Sequence, residues 1–312
     1  MDENTSRSMK MSDYIIVAGV ALAGCIPIFG SMLSGGRVIA GPDYFNYWFP
    51  LYENSLKVWR EGGGIAIWFR LLHGGMPILA SMNCMDLYPT QLIGIIAGIS
   101  ARQYFPWDAT LHIVLSALGC SFMLSQMGVG RRGAILGGLF YAFSGLSITT
   151  LRFGLHPMIR AAALLPWMAV FLVRSFNCSK WECIWGGGVV SLLIFTNAIQ
   201  MAVFGATWCL IITAFHSGSM KIGGRLIRLT AILGIGGLIG AVWLLPAFEY
   251  LPLSSRVHEA TDFMSTESLE GIHLLELLIP GILGRAMGGN EYAGVVLSLY
   301  PGLLPMLFCF SE

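Results

Sequence analysis

Apolar stretches of membrane-spanning length alternate with loops of very unequal size. This alternation constrains the fold of the 312-residue chain more than any motif does. Only 11% of residues are charged, and mean hydropathy is +0.71. Soluble domains carry about 25% charged residues. In lipid every backbone polar group must be satisfied within the segment, so repeated apolar runs predict helices. The expected fold class is all-α: a polytopic transmembrane helical bundle, one domain over residues 1–312.

The first apolar run, residues 14–33, follows Arg7 and Lys10. It is longer than a signal-peptide core and more spans follow, so it reads as an uncleaved span over 13–34. Further spans are expected at 107–127, 133–151, 157–175, 183–198, 199–216, 226–248 and 294–310. Residues 88–100 are apolar but short, and read as a re-entrant or interfacial helix.

The short loops carry Arg131, Arg132, Arg174, Lys180, Lys221, Arg225 and Arg228. They share one side with Arg7 and Lys10 if 88–100 does not cross. The positive-inside rule makes that side cytoplasmic, with the N-terminus there, in a multi-pass cell (plasma or inner) membrane protein. The extracytoplasmic side then receives a large loop, 35–105, between the first two spans, and a second, 249–293. The aromatic stretch 43–60 (DYFNYWFPLYENSLKVWR) reads as an interfacial helix, broken at Gly62 to Gly64.

Nearly all residues able to do chemistry fall on that outer side. Asp43 lies just past the first span, suited to general-base work or to capping a helix. Asp86 precedes the short apolar helix, with the same two readings. Arg152 and His156 occupy a short outer loop, where an Arg could hold a phosphate or meet lipid headgroups. Arg160 lies inside an apolar segment, where a charge must pair or snorkel. Asn197 and Gln200 mark a tight outer turn, and Glu249 and Arg256 follow a span end. The seven cysteines form no CxxC pair or metal spacing and read as packing residues. No P-loop, HExxH, GxSxG or dinucleotide fingerprint occurs. The net charge of +1 gives no reason to expect a nucleic-acid partner.

Short motifs recur in a familiar order. Gly41-Pro42-Asp43 leads into an aromatic helix with Pro50, followed by Trp68, Gly74 to Pro77, and Asp86 to Pro89. Tyr141 to Gly145, His156-Pro157, Leu165 to Trp167, the Asn197–Gln200 turn and Leu245-Pro246 come next. Ser254 to Arg256, Ile279-Pro280 and Tyr292 to Gly294 complete the series. In order and spacing the chain resembles the YfhO-like bacterial membrane proteins, which belong with the GT-C glycosyltransferases. The resemblance implies a GT-C-like bundle that moves a sugar from a polyprenyl-phosphate carrier to an extracytoplasmic glycan, lipid or protein acceptor. It also implies catalysis by an Asp of the first outer loop, which is Asp43 here; Asp86, on the same loop by its position, stands beside it as the second catalytic candidate. Arg152, His156, Gln200, Glu249 and Arg256 become candidates for substrate binding.

Asp43 is followed by Tyr44 rather than by a second acid, so the motif fixes no cofactor. A divalent cation, Mg or Mn, is the one this chemistry could take. Family members run longer, so the chain, ending in an apolar segment at Ser311-Glu312, is expected to be a fragment. The rival readings are a lipid or solute transporter or flippase, and a non-catalytic assembly protein. They differ in whether the outer polar residues converge on one cavity.

Overall fold

The computed structural model describes residues 9–70, 74–81, 85–177 and 179–254. Residues 255–293 of the expected second outer loop, the span at 294–310 and Arg256 lie outside the described residues. Among these described residues ten α-helices dominate: α1 (Met11–Leu33), α2 (Phe49–Arg60), α3 (Pro89–Ile96), α4 (Ala101–Gln126), α5 (Arg131–Ala142), α6 (Gly145–Phe153), α7 (His156–Asn177), α8 (Trp181–Phe195), α9 (Ile199–Phe215) and α10 (Ile222–Tyr250). A two-stranded antiparallel ladder, β1 (Trp68–Phe69) and β2 (Met76–Pro77), interrupts them, with Trp68 opposite Pro77.

Among the described residues four helices are long and apolar enough to cross a membrane: α1, α4, α7 and the helix running from Ile222 through Leu253. The other expected spans need correction. Residues 133–151 are not one helix; the chain breaks at Phe143 and Ser144 into α5 and α6. Ser144 takes an extended backbone there. Adjacent Ser and Gly is a recognised site for helix breaks, and Phe143 is held in place by Gly24, where a Cβ would lie 2.6 Å from its ring. The expected spans 183–198 and 199–216 form helices of 15 and 17 residues, short of the ~20 a straight crossing takes. The span expected at 107–127 starts earlier, at Ala101. Residues 88–100 contain only the 8-residue α3, begun by Pro89 and ended by Gly98 at φ 71°.

The helices pack in sequence order around α4 and α7. Helix α4 contacts α1, α5 and α7; α7 contacts α8 and α9; α8 packs along α10. Small residues permit the closest approach. A Cβ at Gly187 would lie 2.5 Å from the Ile235 side chain, so α8 and α10 meet through glycine.

The basic loops gather at one end. Arg131 at the start of α5 binds Asp13 at the start of α1 at 2.5 Å. Arg174 at the end of α7 donates to Glu182 at the start of α8 at 2.7 Å. Arg225 donates to the carbonyl of His216, joining the start of α10 to the end of α9. Exposed tryptophans mark both ends, Trp181 and Trp185 at the basic one, Trp68 and Trp107 at the other. Those are the heights at which indole rings favour lipid headgroups. The cysteines at 25, 120, 183 and 209 are buried and free, as packing residues should be.

Candidate functional site

At the end away from the basic loops the connecting segments meet around a groove of about 830 Å³. Its walls come from the segment after α1, the β2 turn, the α6–α7 and α8–α9 connections and the end of α10. Asp43, Asn46, Tyr47, Trp48, Asn197 and Gln200 supply polar and aromatic groups, and Met158, Ile199, Leu251 and Leu253 supply apolar ones. Among the described lining residues Asp43 is the one carboxylate, and none is Lys, Arg or His. The indole N–H of Trp48 has no hydrogen-bond partner.

Local backbone choices place these groups. Residues Tyr44–Trp48 form a π-helical turn, with Asp43 at its start, that runs directly into α2 at Phe49. Pro50 sits in the first turn of α2, where its missing N–H is harmless. Asn197 holds φ 70° in the α8–α9 turn, a conformation Asn tolerates better than most residues.

Beneath the groove floor lies a buried polar cluster built from α4, α7 and the segments before them. Asp108 is its centre. Its Oδ2 accepts from Arg160 Nε at 2.8 Å and from His156 Nε2 at 2.6 Å. Its Oδ1 accepts from the Thr90 hydroxyl. Arg160 also donates to the Tyr104 hydroxyl and, at 3.2 Å, to Gln91 Oε1, and its guanidinium lies 4.7 Å above the Tyr88 ring. His112, one turn after Asp108, donates through Nδ1 to the Asp108 carbonyl at 2.7 Å. That leaves Nε2 to accept from the Tyr88 hydroxyl at 2.7 Å. His156 Nδ1 accepts from the Tyr44 hydroxyl at 2.9 Å. Burial, and then the Asp108 charge, push the Tyr44 pKa up, so its hydroxyl stays protonated and donates. The Asp108, His156 and Arg160 side chains have no solvent exposure. A buried charge pair is tolerable only with such dense partnering.

The candidates from the sequence divide between groove, buried layer and surface. Asp43 and Gln200 line the groove. His156 does not sit in an open loop: it opens α7, fully buried, with both ring nitrogens occupied by protein partners. Its neighbours Leu155 and Pro157 line the groove instead. Asp86 is buried and does not cap α3, whose N-terminal cap position is Tyr88. One Asp86 oxygen accepts from Gln91 at 2.9 Å, and the other has no hydrogen-bond partner. Burial raises its pKa, against the lowering effect of Ser55, Gln91 and the Ala66 backbone. Arg152 and Glu249 are exposed and are not among the groove's described lining residues.

The centre of the buried cluster, Asp108 with His112, was not among the sequence candidates. The signal existed: Arg160 needs a counter-charge, and Asp108 is the one carboxylate within the apolar run that forms α4. Among the described residues no three His, Cys, Asp or Glu side chains gather in a way that could hold a metal ion. Comparison of the chain with protein-family models, with curated proteins and with solved structures returns no match, so the GT-C likeness rests on the order of its short motifs.

Proposed function

We propose that this protein is a membrane glycosyltransferase of the polyprenyl-phosphate-sugar type, working in the groove on the extracytoplasmic side. The observation that carries this reading is the groove itself. It lies at the end opposite the basic loops, mixes polar with apolar walls, and holds Asp43 among amides and aromatic rings. A lipid-linked donor needs that combination: an apolar flank for the prenyl chain and polar groups for the sugar. In this reading Asp43 takes the acceptor hydroxyl's proton as the sugar leaves its phosphate. Asn197, Gln200 and the Trp48 indole N–H orient hydroxyl groups. In the same reading the exposed Arg152, outside the groove lining, meets the donor phosphate at the headgroup level.

A divalent cation fits the described groove poorly. One carboxylate among amides falls short of a dedicated site, and Mg²⁺ held so sparsely relies on substrate phosphates to complete its shell.

The test is transfer of radiolabelled sugar from polyprenyl-phosphate donors in membranes containing the protein. Replacing Asp43 with Asn should reduce turnover on the order of 10²–10⁴-fold at unchanged protein level, and Asp86→Asn should reduce it less. Full activity of both variants sinks the enzyme reading. Sidedness is checked separately: Ser81→Cys should react with an impermeant thiol reagent on intact cells, and Ser219→Cys should not. The opposite pattern would turn the groove toward the cytoplasm.

One observation favours transport instead, namely the charged cluster inside apolar helices. Transporter sites lie near the bilayer midplane, whereas Asp108 lies about two turns, roughly 10 Å, into α4 from its groove end. Its depth suits support for an end-of-bundle site.

A further inference from the structure

The segment bearing Asp43 is held from two sides. Its backbone lies against the α6–α7 connection with no room for a side chain between them. A Cβ at Gly41 would lie 2.9 Å from the Arg152 carbonyl oxygen and from the Gly154 nitrogen. A Cβ at Gly154 would lie 2.8 Å from the Tyr44 nitrogen and 3.2 Å from the Asp43 Cβ. The second hold is the Tyr44 side chain, which points into the interior. It packs edge-on to Phe105 at 5.4 Å and ends on His156. His156 in turn is fixed by Asp108, and Asp108 by Arg160.

The intervening turn is π-helical, a geometry that is rare and often found at functional sites. Conversion of this turn to ordinary α-helix would change the rotation per residue and so turn Asp43 relative to the groove. Tyr44 is the first residue of the turn, so anchoring its hydroxyl fixes the turn's start. One tautomer satisfies both bonds: His156 donates through Nε2 to a carboxylate and accepts at Nδ1 from a hydroxyl kept protonated by burial.

We propose that Tyr44, His156 and Asp108 are positioning residues for Asp43, linking its π-turn to the Asp108–Arg160 pair between α4 and α7. His156 thus acts through Tyr44 rather than by touching substrate. The part played by Asp43 in transfer rests on the proposed function; the hold on its segment does not.

Two readouts test this in lipid nanodiscs. The first is hydrogen–deuterium exchange of the 43–48 amides, which reports local opening whatever the activity. Tyr44→Phe removes only the hydroxyl, and His156→Gln keeps a donor for Asp108 but loses the acceptor for Tyr44. Both should speed exchange of this segment roughly tenfold, with α7 and α8 unchanged. His156→Asn retains an acceptor near the Nδ1 position and should restore part of the protection. Glu182→Gln, at the far end, should leave 43–48 unchanged.

The second readout is transfer from a radiolabelled polyprenyl-phosphate sugar. Misplacing a reacting group costs rate rather than binding, so Tyr44→Phe should lower kcat roughly tenfold and leave KM within about twofold. Unchanged exchange in both Tyr44→Phe and His156→Gln overturns the proposal, as does an equal rise in every segment. Local loosening in a protein whose wild type transfers no sugar would uphold the positioning role and sink the glycosyltransferase reading.

Discussion

The two ends of the bundle both tie helices together with arginine–carboxylate pairs, but in different surroundings. At the groove end Arg160 and Asp108 have no exposure, and the side chains of His156, Thr90, Tyr104 and Gln91 also hydrogen-bond to them. At the basic end the Arg174 and Glu182 side chains stay 35% and 11% exposed. Water is within reach of the second pair and not of the first. The pair near the groove therefore cannot lose a member without stranding a charge, whereas the far pair can re-solvate. At the basic end even the Arg131–Asp13 pair, whose Asp13 is buried, keeps its arginine 47% exposed.

Four measurements would break or sharpen this contrast. The largest effect is expected from Arg160→Met, which strands Asp108. Breaking a buried pair typically costs about 3–5 kcal/mol, to be read from SDS-unfolding midpoints. A loss as small as that at the basic end would erase the difference between the ends.

Gly154→Ala comes next. It forces a Cβ onto φ 84° and into the Tyr44 backbone. Such strain costs of the order of 1–3 kcal/mol and should also loosen the Asp43 segment. Wild-type stability with unchanged 43–48 exchange would show that the close backbone approach is dispensable.

Glu182→Gln should cost under about 1 kcal/mol, since the glutamine keeps a partner for Arg174, whose 35% exposure lets it re-solvate. A loss of several kcal/mol would make the two ends equivalent.

The smallest effect concerns Asp86. Its folded pKa is raised above the ordinary 3.8 by burial, so the folded state holds its proton more tightly than the unfolded chain. The stabilisation from that proton is present below the unfolded value and is lost as pH rises through the folded one. Asp86→Asn should flatten this decline in melting temperature above pH 3.8. An identical pH slope in variant and wild type would show that Asp86 does not titrate in this way.

Sequence and structure agree where a single physical rule decides. Apolar run length placed α1, α4, α7 and α10, because lipid leaves a long apolar segment no alternative to helix. The Asn197 turn and the Pro-led starts of α2 and α3 follow from local backbone preference. Hydropathy misses the break at Phe143 and Ser144, since the residues across it are as apolar as those of a continuous span; contact with Gly24 belongs to another helix.

The candidate site shows the same division. Position along the chain was enough to put Asp43 and Gln200 at the end where the groove lies. It could not show that His156 turns inward, that Asp86 is buried beside Gln91, or that Arg160 meets Asp108 across 52 residues of chain. By itself the sequence determined which segments are helical and apolar and at which loops the charges collect. Those properties follow from each segment's own contact with lipid or water. Only the tertiary structure decided which polar groups share a buried layer and which face a groove, because a desolvated charge is satisfied by whichever partner packing brings within hydrogen-bond reach.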